Sequence, residues 1–198
     1  MKKILFGSTL FLGLLSFQAH ADYIPQQQKK STSALAAQYA QMNVVDLEKA
    51  AKSGQAAAQF YLATRYQSGM GVSKDLKRAF SLFKSAADQG ISAAQLNVGR
   101  MYADGIGVSK NETAARQYFE KAASHGDNRA SFNLAVMEEQ KKNYMSAYQW
   151  YELSTRDGML DNKVINMSET KKTALAANLT PEQIRTARDR ADRWIQTQ

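Results

Sequence analysis

The residues that could carry out covalent or acid–base chemistry are few in this chain. Its 198 residues include no cysteine and two histidines. The chain therefore has neither a thiolate nucleophile nor thiolate ligands for zinc. His20 lies in a segment that we expect to be removed, and His125 stands at a predicted helix end, where interaction with the helix dipole is its simplest role. Glu138 and Glu139 are adjacent, and adjacent side chains on a helix do not face each other. We therefore expect no enzymatic activity, no metal site and no cofactor.

The first 21 residues have the three parts of a secretory signal peptide. Two lysines precede an apolar run, and the small-residue motif Ala19-His20-Ala21 follows it. The apolar run is shorter than the roughly 20 residues that a membrane span requires. We predict cleavage after Ala21, a periplasmic or secreted mature chain with no transmembrane anchor, and a flexible polar linker over residues 22–33.

The charge of the mature chain narrows the classes of partner. Without Lys2 and Lys3 the chain keeps 24 basic and 18 acidic residues, a net charge of +6. Nucleic acid is a poor candidate as the ligand of an exported protein. Acidic proteins, anionic lipids and envelope polysaccharides are attracted to a protein of net positive charge and are better candidates. An equally good interpretation is that the net charge only keeps the protein soluble.

One phrase of the sequence occurs twice. YQSGMGVSKD, beginning at Tyr66, returns 36 residues later as YADGIGVSKN, and 14 of 36 positions agree when residues 54–89 are aligned with 90–125. A period of this length is typical of a repeat array. A third copy at 126–157 lacks four loop residues and both loop glycines, and an incomplete unit at 34–53 precedes the three.

Each repeat is predicted to form two antiparallel helices. In the second helix, apolar residues recur at i, i+3, i+4 and i+7, which indicates one buried face. An N-cap residue type stands four positions before each stripe, at Asp75, Asn111 and Asn143. Glycines that can end the second helix follow at Gly90, Gly126 and Gly158.

The repeated phrase is predicted to be the turn between these helices. Gly69 and Gly105 stand where the first helix should end, and Gly71 and Gly107 permit a second sharp bend. A phosphate-binding loop is the alternative, but these glycines follow a helix instead of a strand and lack the spacing of nucleotide-binding motifs.

The C-terminal segment, 159–198, is predicted to cap the array. Thr180 is an N-cap type, Pro181 occupies the first helical position and Gln183 completes a capping box. The apolar face of the helix that follows can cover the last repeat.

This pattern resembles the Sel1-like, tetratricopeptide-like repeat family, in an exported bacterial member. In the first full repeat the resemblance is carried by Ala58, Phe60, Leu62, Ala63, Tyr66, Gly69, Gly71, Val72, Lys74, Asp75, Ala79, Phe83, Ala86 and Ala87. It implies an all-α fold over residues 34–198, a right-handed superhelical solenoid of antiparallel helix pairs with a C-terminal capping helix. It also implies that the first helices line the concave side of the solenoid.

A strip of changing residues on the first helices is the candidate binding site. At roughly 100° per residue, the recurring residues occupy one side of the first helix and the changing residues gather on the other. Amides, arginines, methionines and an aromatic ring suit a protein or an extended peptide as ligand. The variable strip consists of Tyr61, Thr64, Arg65, Asn97, Arg100, Met101, Asp104, Asn133, Met137 and Gln140.

The sequence therefore favours a non-catalytic adaptor or scaffold that binds a protein partner after export. The resemblance implies roles in envelope assembly, virulence or toxin neutralisation without selecting one. A cell-envelope hydrolase, such as a penicillin-interacting enzyme, is the first alternative. The second is attachment to an anionic envelope component through the Lys141-Lys142 and Lys171-Lys172 pairs and the C-terminal arginines.

Overall fold

The structure is a computed structural model that describes residues 26–156 and 161–197, with side chains from residue 34 onward. The predicted signal peptide and Gly158 lie outside these residues. The described ranges contain no strand and ten helices: α1 Gln26–Gln41, α2 Val44–Lys52, α3 Ala56–Ser68, α4 Leu76–Asp88, α5 Ser92–Asp104, α6 Glu112–Ser124, α7 Asn128–Gln140, α8 Tyr144–Ser154, α9 Asn162–Ala176 and α10 Pro181–Gln196.

The first helix belongs to one compact unit, which ends at Gln41, and α2 to α10 form a second unit. Helix α1 includes residues 26–33 of the segment for which the sequence predicts a flexible linker. The segment QQQKKSTSALAAQYAQ contains neither glycine nor proline. Its glutamine, lysine and alanine residues favour the helical backbone, although the segment is polar.

In the second unit the helices pack in chain order. Helix α3 packs on α4, α5 on α6 and α7 on α8, and each second helix also contacts the first helix of the next pair. The predicted buried stripe is confirmed, because Phe83, Phe119 and Tyr151 occupy equivalent positions and are at most 1% exposed. The ring of Phe60 meets that of Phe83 edge-on, with centroids 5.6 Å apart.

Two of the three predicted helix caps form as expected. Carboxylate Oδ1 of Asp75 accepts a bond from the Arg78 backbone N–H at 2.9 Å, and Oδ1 of Asn111 accepts the equivalent bond at 3.0 Å. Asn143 does not cap α8 in this way. The shortened third turn passes through Lys142 in a left-handed conformation, and Asn143 instead donates from Nδ2 to Glu138 at 2.9 Å.

The glycine turns adopt the predicted left-handed conformation and also bring neighbouring repeats together. Gly107 has φ +71°, and a Cβ atom built there would lie 2.2 Å from the backbone oxygen of Leu76. The turn of the second repeat therefore lies directly on the start of α4 in the first repeat. The need for glycine at this position comes from contact between repeats as well as from the bend itself.

Helices α9 and α10 both pack on α8, which confirms that the C-terminal segment covers the last repeat. The predicted capping box forms, since Thr180 Oγ1 accepts from the Gln183 N–H at 3.2 Å and Gln183 Oε1 accepts from the Thr180 N–H at 2.9 Å. The indole rings of Trp150 and Trp194 meet edge-on at 4.9 Å.

We expect Gly107→Ala to destabilise the protein more than Gly90→Ala. Both glycines have positive φ, so alanine costs roughly 1–2 kcal/mol at either position. Space is open around Gly90, whereas the methyl group at residue 107 would overlap the Leu76 carbonyl. Urea unfolding of the two variants measures the difference, and equal losses would contradict the contact between repeats.

Phe119→Ala should lower the free energy of unfolding by about 3–5 kcal/mol, because it leaves a cavity in the core. Gln117→Ala, an exposed change on the same helix, is the control and should stay within about 0.5 kcal/mol of the parent. Thermal melts that do not separate the two variants would argue against this repeat packing.

Candidate functional site

The variable strip lies on α3, α5 and α7, the first helices of the three repeats. Four of its side chains are exposed, namely Thr64, Arg100, Asp104 and Gln140. Four others are half-buried, namely Tyr61, Arg65, Asn97 and Asn133. The structure thus leaves eight of the ten predicted residues open to solvent at least in part.

The two methionines of the strip are buried. Met101 is 2% exposed and Met137 is 8% exposed, so they pack in the core and are not accessible to a partner. The reason is helical geometry, because Met101 follows Ala94 by seven residues, almost two turns, and Ala94 is fully buried. This spacing was readable in the sequence and would have removed both methionines from the prediction.

Most strip residues of the first repeat already have partners within the protein. Arg65 donates from Nη2 to the backbone oxygen of Met42 at 3.0 Å, and Thr64 donates to the Phe60 carbonyl at 3.0 Å. The ring of Tyr61 stands edge-on to that of Phe60, with centroids 5.3 Å apart. This part of the strip is held in place by the first repeat and by Met42, which precedes it.

The strip residues of the second repeat differ in this respect. Among the residues that the structure describes, the side chains of Asn97, Arg100 and Asp104 have no hydrogen-bond or ion-pair partner. Arg100 is exposed, yet the surrounding protein desolvates its guanidinium, and this burial together with the charge of Arg129 lowers its pKa. Asp127 and Asp104 act in the opposite direction.

Arg129, in the first turn of α7, adjoins the strip through Asn133 and was not named in the sequence prediction. Its Nε and Nη2 donate to the two carboxylate oxygens of Asp127 at 2.9 and 2.7 Å, and this bonding raises the pKa of Arg129. Its backbone oxygen accepts a bond from Asn133 Nδ2 at 2.6 Å. Equivalent positions hold Ala57 and Ala93, so the change from alanine to arginine in the third copy was the available signal.

The residues considered for acid–base chemistry, His125, Glu138 and Glu139, all bond to other residues of the protein. His125 is exposed at the end of α6, with Nδ1 2.7 Å from the Lys121 carbonyl oxygen. Glu138 accepts bonds from Arg116 and Asn143, whereas Glu139 accepts bonds from Tyr151 at 2.7 Å and from Lys171 at 3.0 Å. The described ranges include no group of three or more His, Cys, Asp or Glu side chains that could hold a metal ion.

A buried ion-pair cluster joins the third repeat to its cap. Glu152 accepts from Lys172 on α9 at 3.0 Å and from Arg156 at 2.5 Å, and Arg156 also bonds to Asp192 on α10. Burial by itself would raise the pKa of Glu152, but the bonds from Lys172 and Arg156 outweigh it and lower the pKa. Glu169 lies 2.8 Å from Lys172 as a second, exposed partner.

Two further features of the surface lie away from the strip. An open depression of about 850 Å³ lies beside the first glycine turn and is lined by Lys74, Lys77 and Arg78 among others. Over the described part of the chain, no helix has the length and apolar character that would let it cross a membrane.

Comparison with known proteins settles the family. The Sel1 repeat family model matches residues 56–91, 92–127 and 129–159, more than half of the chain. The chain belongs to the Sel1 repeat family. The predicted fold class, an all-α right-handed solenoid of helix pairs, is confirmed with it.

Two solved structures resemble this Sel1 repeat protein. The first is a Sel1 repeat protein from Oxalobacter formigenes, 32% identical, with a TM-score of 0.52 over 64% of this chain and 96% of that one. The second is c5321, a protective antigen of uropathogenic Escherichia coli strains, 24% identical, with a TM-score of 0.55 over 76% of this chain. This chain covers 40% of c5321, so that likeness concerns the fold alone. The comparison with curated proteins found no match.

Membership of the Sel1 repeat family also establishes a coarse functional class. Sel1 repeat proteins are generally scaffolds for protein interactions. The specific partner and the surface it contacts are matters of proposal.

Glu152→Gln should lower stability near neutral pH by roughly 2–3 kcal/mol, because Lys172 loses its buried counter-charge and keeps only Glu169. Asp88→Asn is the matched control in the exposed Lys84–Asp88 pair and should cost less than about 1 kcal/mol.

The difference between parent and Glu152→Gln should also depend on pH. The pKa of Glu152 is lowered on folding from its ordinary 4.5, so its contribution is fully present above pH 4.5 and is lost as pH falls through the folded pKa. Unfolding by urea at several pH values should show the two proteins converging in acid. A difference that stays constant between pH 7 and pH 3 would contradict the ion-pair role.

Proposed function

We propose that this Sel1 repeat protein is a non-catalytic adaptor that binds a partner protein in the periplasm or outside the cell, through the exposed residues of the variable strip. The observation that carries the proposal is the group of strip side chains on α5 and α7 that are open to solvent and lack partners among the described residues.

The repeated skeleton supports the proposal by leaving the strip free to change. Ala58, Ala94 and Ala130 are fully buried at equivalent positions of the three first helices. The positions of Tyr61 and Thr64 on α3 differ between copies: the first holds Tyr, Asn and Asn in turn, and the second holds Thr, Arg and Val. A surface that varies on a constant frame is the means by which solenoid proteins recognise partners.

The chemistry of the open side chains suits a protein ligand. Asn97 and Gln140 carry amides that can both donate to and accept from a peptide backbone. They lie on first helices of successive repeats, so an extended segment that follows the strip can bond to more than one repeat. A small molecule would require an enclosed pocket instead.

The proposed location rests on the composition of residues 1–21. A basic start, a short apolar run and a small-residue cleavage motif together favour export followed by removal of the segment. The mature chain would then meet its partner in an oxidising compartment, where its lack of cysteine prevents disulfide exchange.

The test is affinity capture from a native envelope extract with the chain from Asp22 onward. The strip variant carries Asn97→Ala, Arg100→Ala and Gln140→Ala. The matched control carries Lys77→Ala, Ser81→Ala and Gln117→Ala, which remove one cation and one glutamine from exposed positions of the second helices. Circular dichroism melts should show that both variants fold like the parent.

We expect the parent and the control to retain the same protein in stoichiometric amount and the strip variant to lose it. Titration calorimetry with that protein, purified, should then reproduce the order of affinities. Equal binding by both variants would place the interface elsewhere. If the strip variant lost activity on an envelope substrate but still bound the captured protein, the result would favour the hydrolase alternative.

A further inference from the structure

We infer that α9 is a strap that detaches from α7 and α8 in acid while the three repeats and α10 stay folded, because polar and ionic contacts hold it where apolar packing holds the other first helices. This inference goes beyond the proposed function, since it concerns the end of the array and does not use the variable strip. It assigns a pH-dependent conformational change to the C-terminal cap.

Helix α9 occupies the place that the first helix of a further repeat would take. Each second helix packs against the next first helix, as α6 does against α7, and α8 packs against α9 in the same way. In this position α5 buries six of its 13 residues and α7 buries seven of its 13. Helix α9 buries three of its 15 residues. It is therefore attached to the array by fewer buried side chains than either of the first helices before it.

The buried side chains of α9 are mostly polar. Ser168 and Lys172 are two of the three, and Leu175 is the third. Leu175 belongs to the core of the last repeats, whereas Val164 and Ile165 are half-buried. Because apolar burial supplies most of the free energy of packing, an element with so little of it opens at lower cost than the repeats do.

Two ion pairs connect α9 to the third repeat. Lys172 Nζ donates to Glu152 Oε2 of α8 at 3.0 Å, and both side chains are at most 9% exposed. Lys171 Nζ donates to Glu139 Oε1 of α7 at 3.0 Å. Protonation of the two glutamates removes both ionic attractions and leaves the lysines without these counter-charges.

The two glutamates are held in the ionised form at neutral pH. Burial would raise the pKa of Glu152 and of Glu139, but the bonds that they accept from cations and from Tyr151 lower both pKa values below the ordinary 4.5. The ion pairs therefore stabilise the closed strap fully above pH 4.5, and this effect is lost as pH falls through the folded values. The other charged groups that face the pairs, among the described residues, are Arg156 on α8, Glu169 on α9, and Arg188 and Asp192 on α10.

Helix α10 packs on α8 through apolar contacts that acid does not change. Ala187 and Ala191 are fully buried, and the indole ring of Trp194 meets that of Trp150 edge-on at 4.9 Å. Opening of α9 therefore uncovers the side of α8 that carries Glu152, while α10 keeps the other contacts of α8 covered.

Hydrogen exchange resolved by helix tests the strap, with the chain from Asp22 onward at several values between pH 7 and pH 3. Protection factors, which correct for the intrinsic exchange rate at each pH, are compared among α5, α9 and α10. We expect α9 to be at least about 10-fold less protected than α5 and α10 at pH 7, and to lose more protection than they do as pH falls. Glu152→Gln should lower the protection of α9 roughly 10-fold to 100-fold at pH 7 and have little effect at pH 3. The control Asp88→Asn, in an exposed ion pair of α4, should leave α9 as in the parent.

A disulfide between α8 and α9 provides a second, opposite variant. The chain has no cysteine, so Ser154→Cys combined with Ser168→Cys permits a single disulfide. The two serine Oγ atoms are 2.6 Å apart, so this bond requires little movement of either helix. Oxidised, the variant should protect α9 as well as α10 at every pH, and reduction should restore the opening.

The exchange pattern decides the inference in each case. Equal protection of α5 and α9 in the parent, or a joint loss of protection by α9 and α10, would overturn the strap. A ratio of α9 to α5 protection that does not change between pH 7 and pH 3 would overturn its control by the ion pairs. An oxidised disulfide variant in which α9 exchanges as in the reduced form would contradict detachment from α8.

Discussion

The burial of one aromatic ring in each repeat is the interaction on which the rest of the structure depends. Phe83, Phe119 and Tyr151 fill equivalent places between the paired helices and are at most 1% exposed. The packing leaves little spare room, because a Cβ atom at Gly99 would meet the Phe119 ring at 2.6 Å. Interiors packed to this density accept few changes. The equivalent positions hold Ala63 and Ala135, so this position has a small residue in every repeat, and the repetition of the sequence follows from the repetition of the packing.

The third ring takes part in the polar contacts that connect the last repeat to its cap. Tyr151 brings a hydroxyl group into a position that held phenylalanine before, and a buried hydroxyl requires a partner. Glu139 accepts its bond at 2.7 Å, and Lys171 on α9 bonds to Glu139 in turn. Glu152 and Lys172 form a second link between α8 and α9, and Ser154 bonds to Ser168 at 2.6 Å. The last repeat thus meets its cap through specific polar pairs as well as through apolar packing.

Sequence reasoning succeeded where one residue type has one physical role. The helix pairs, the caps at Asp75 and Asn111 and the capping box at Thr180 follow from local chemistry, and the structure confirms them. It failed where a role depends on a neighbour distant in sequence. The contact between Gly107 and α4 and the bond between Arg116 and Glu138 arise only when repeats stack. For Met101 the error was one of angle, since seven residues make almost two turns and place it on the same face as the buried Ala94.

The same constraint that fixes the skeleton makes the candidate site recognisable. A buried position should hold the same residue in every repeat, so a difference between copies at such a position requires a local explanation. Glu138 stands where the earlier repeats have Tyr66 and Tyr102, and its bond to Arg116 supplies that explanation. An exposed position carries no such demand, and most differences there have no consequence for folding. Differences at the exposed positions of the variable strip can therefore change what the surface recognises while the helix pairs stay the same.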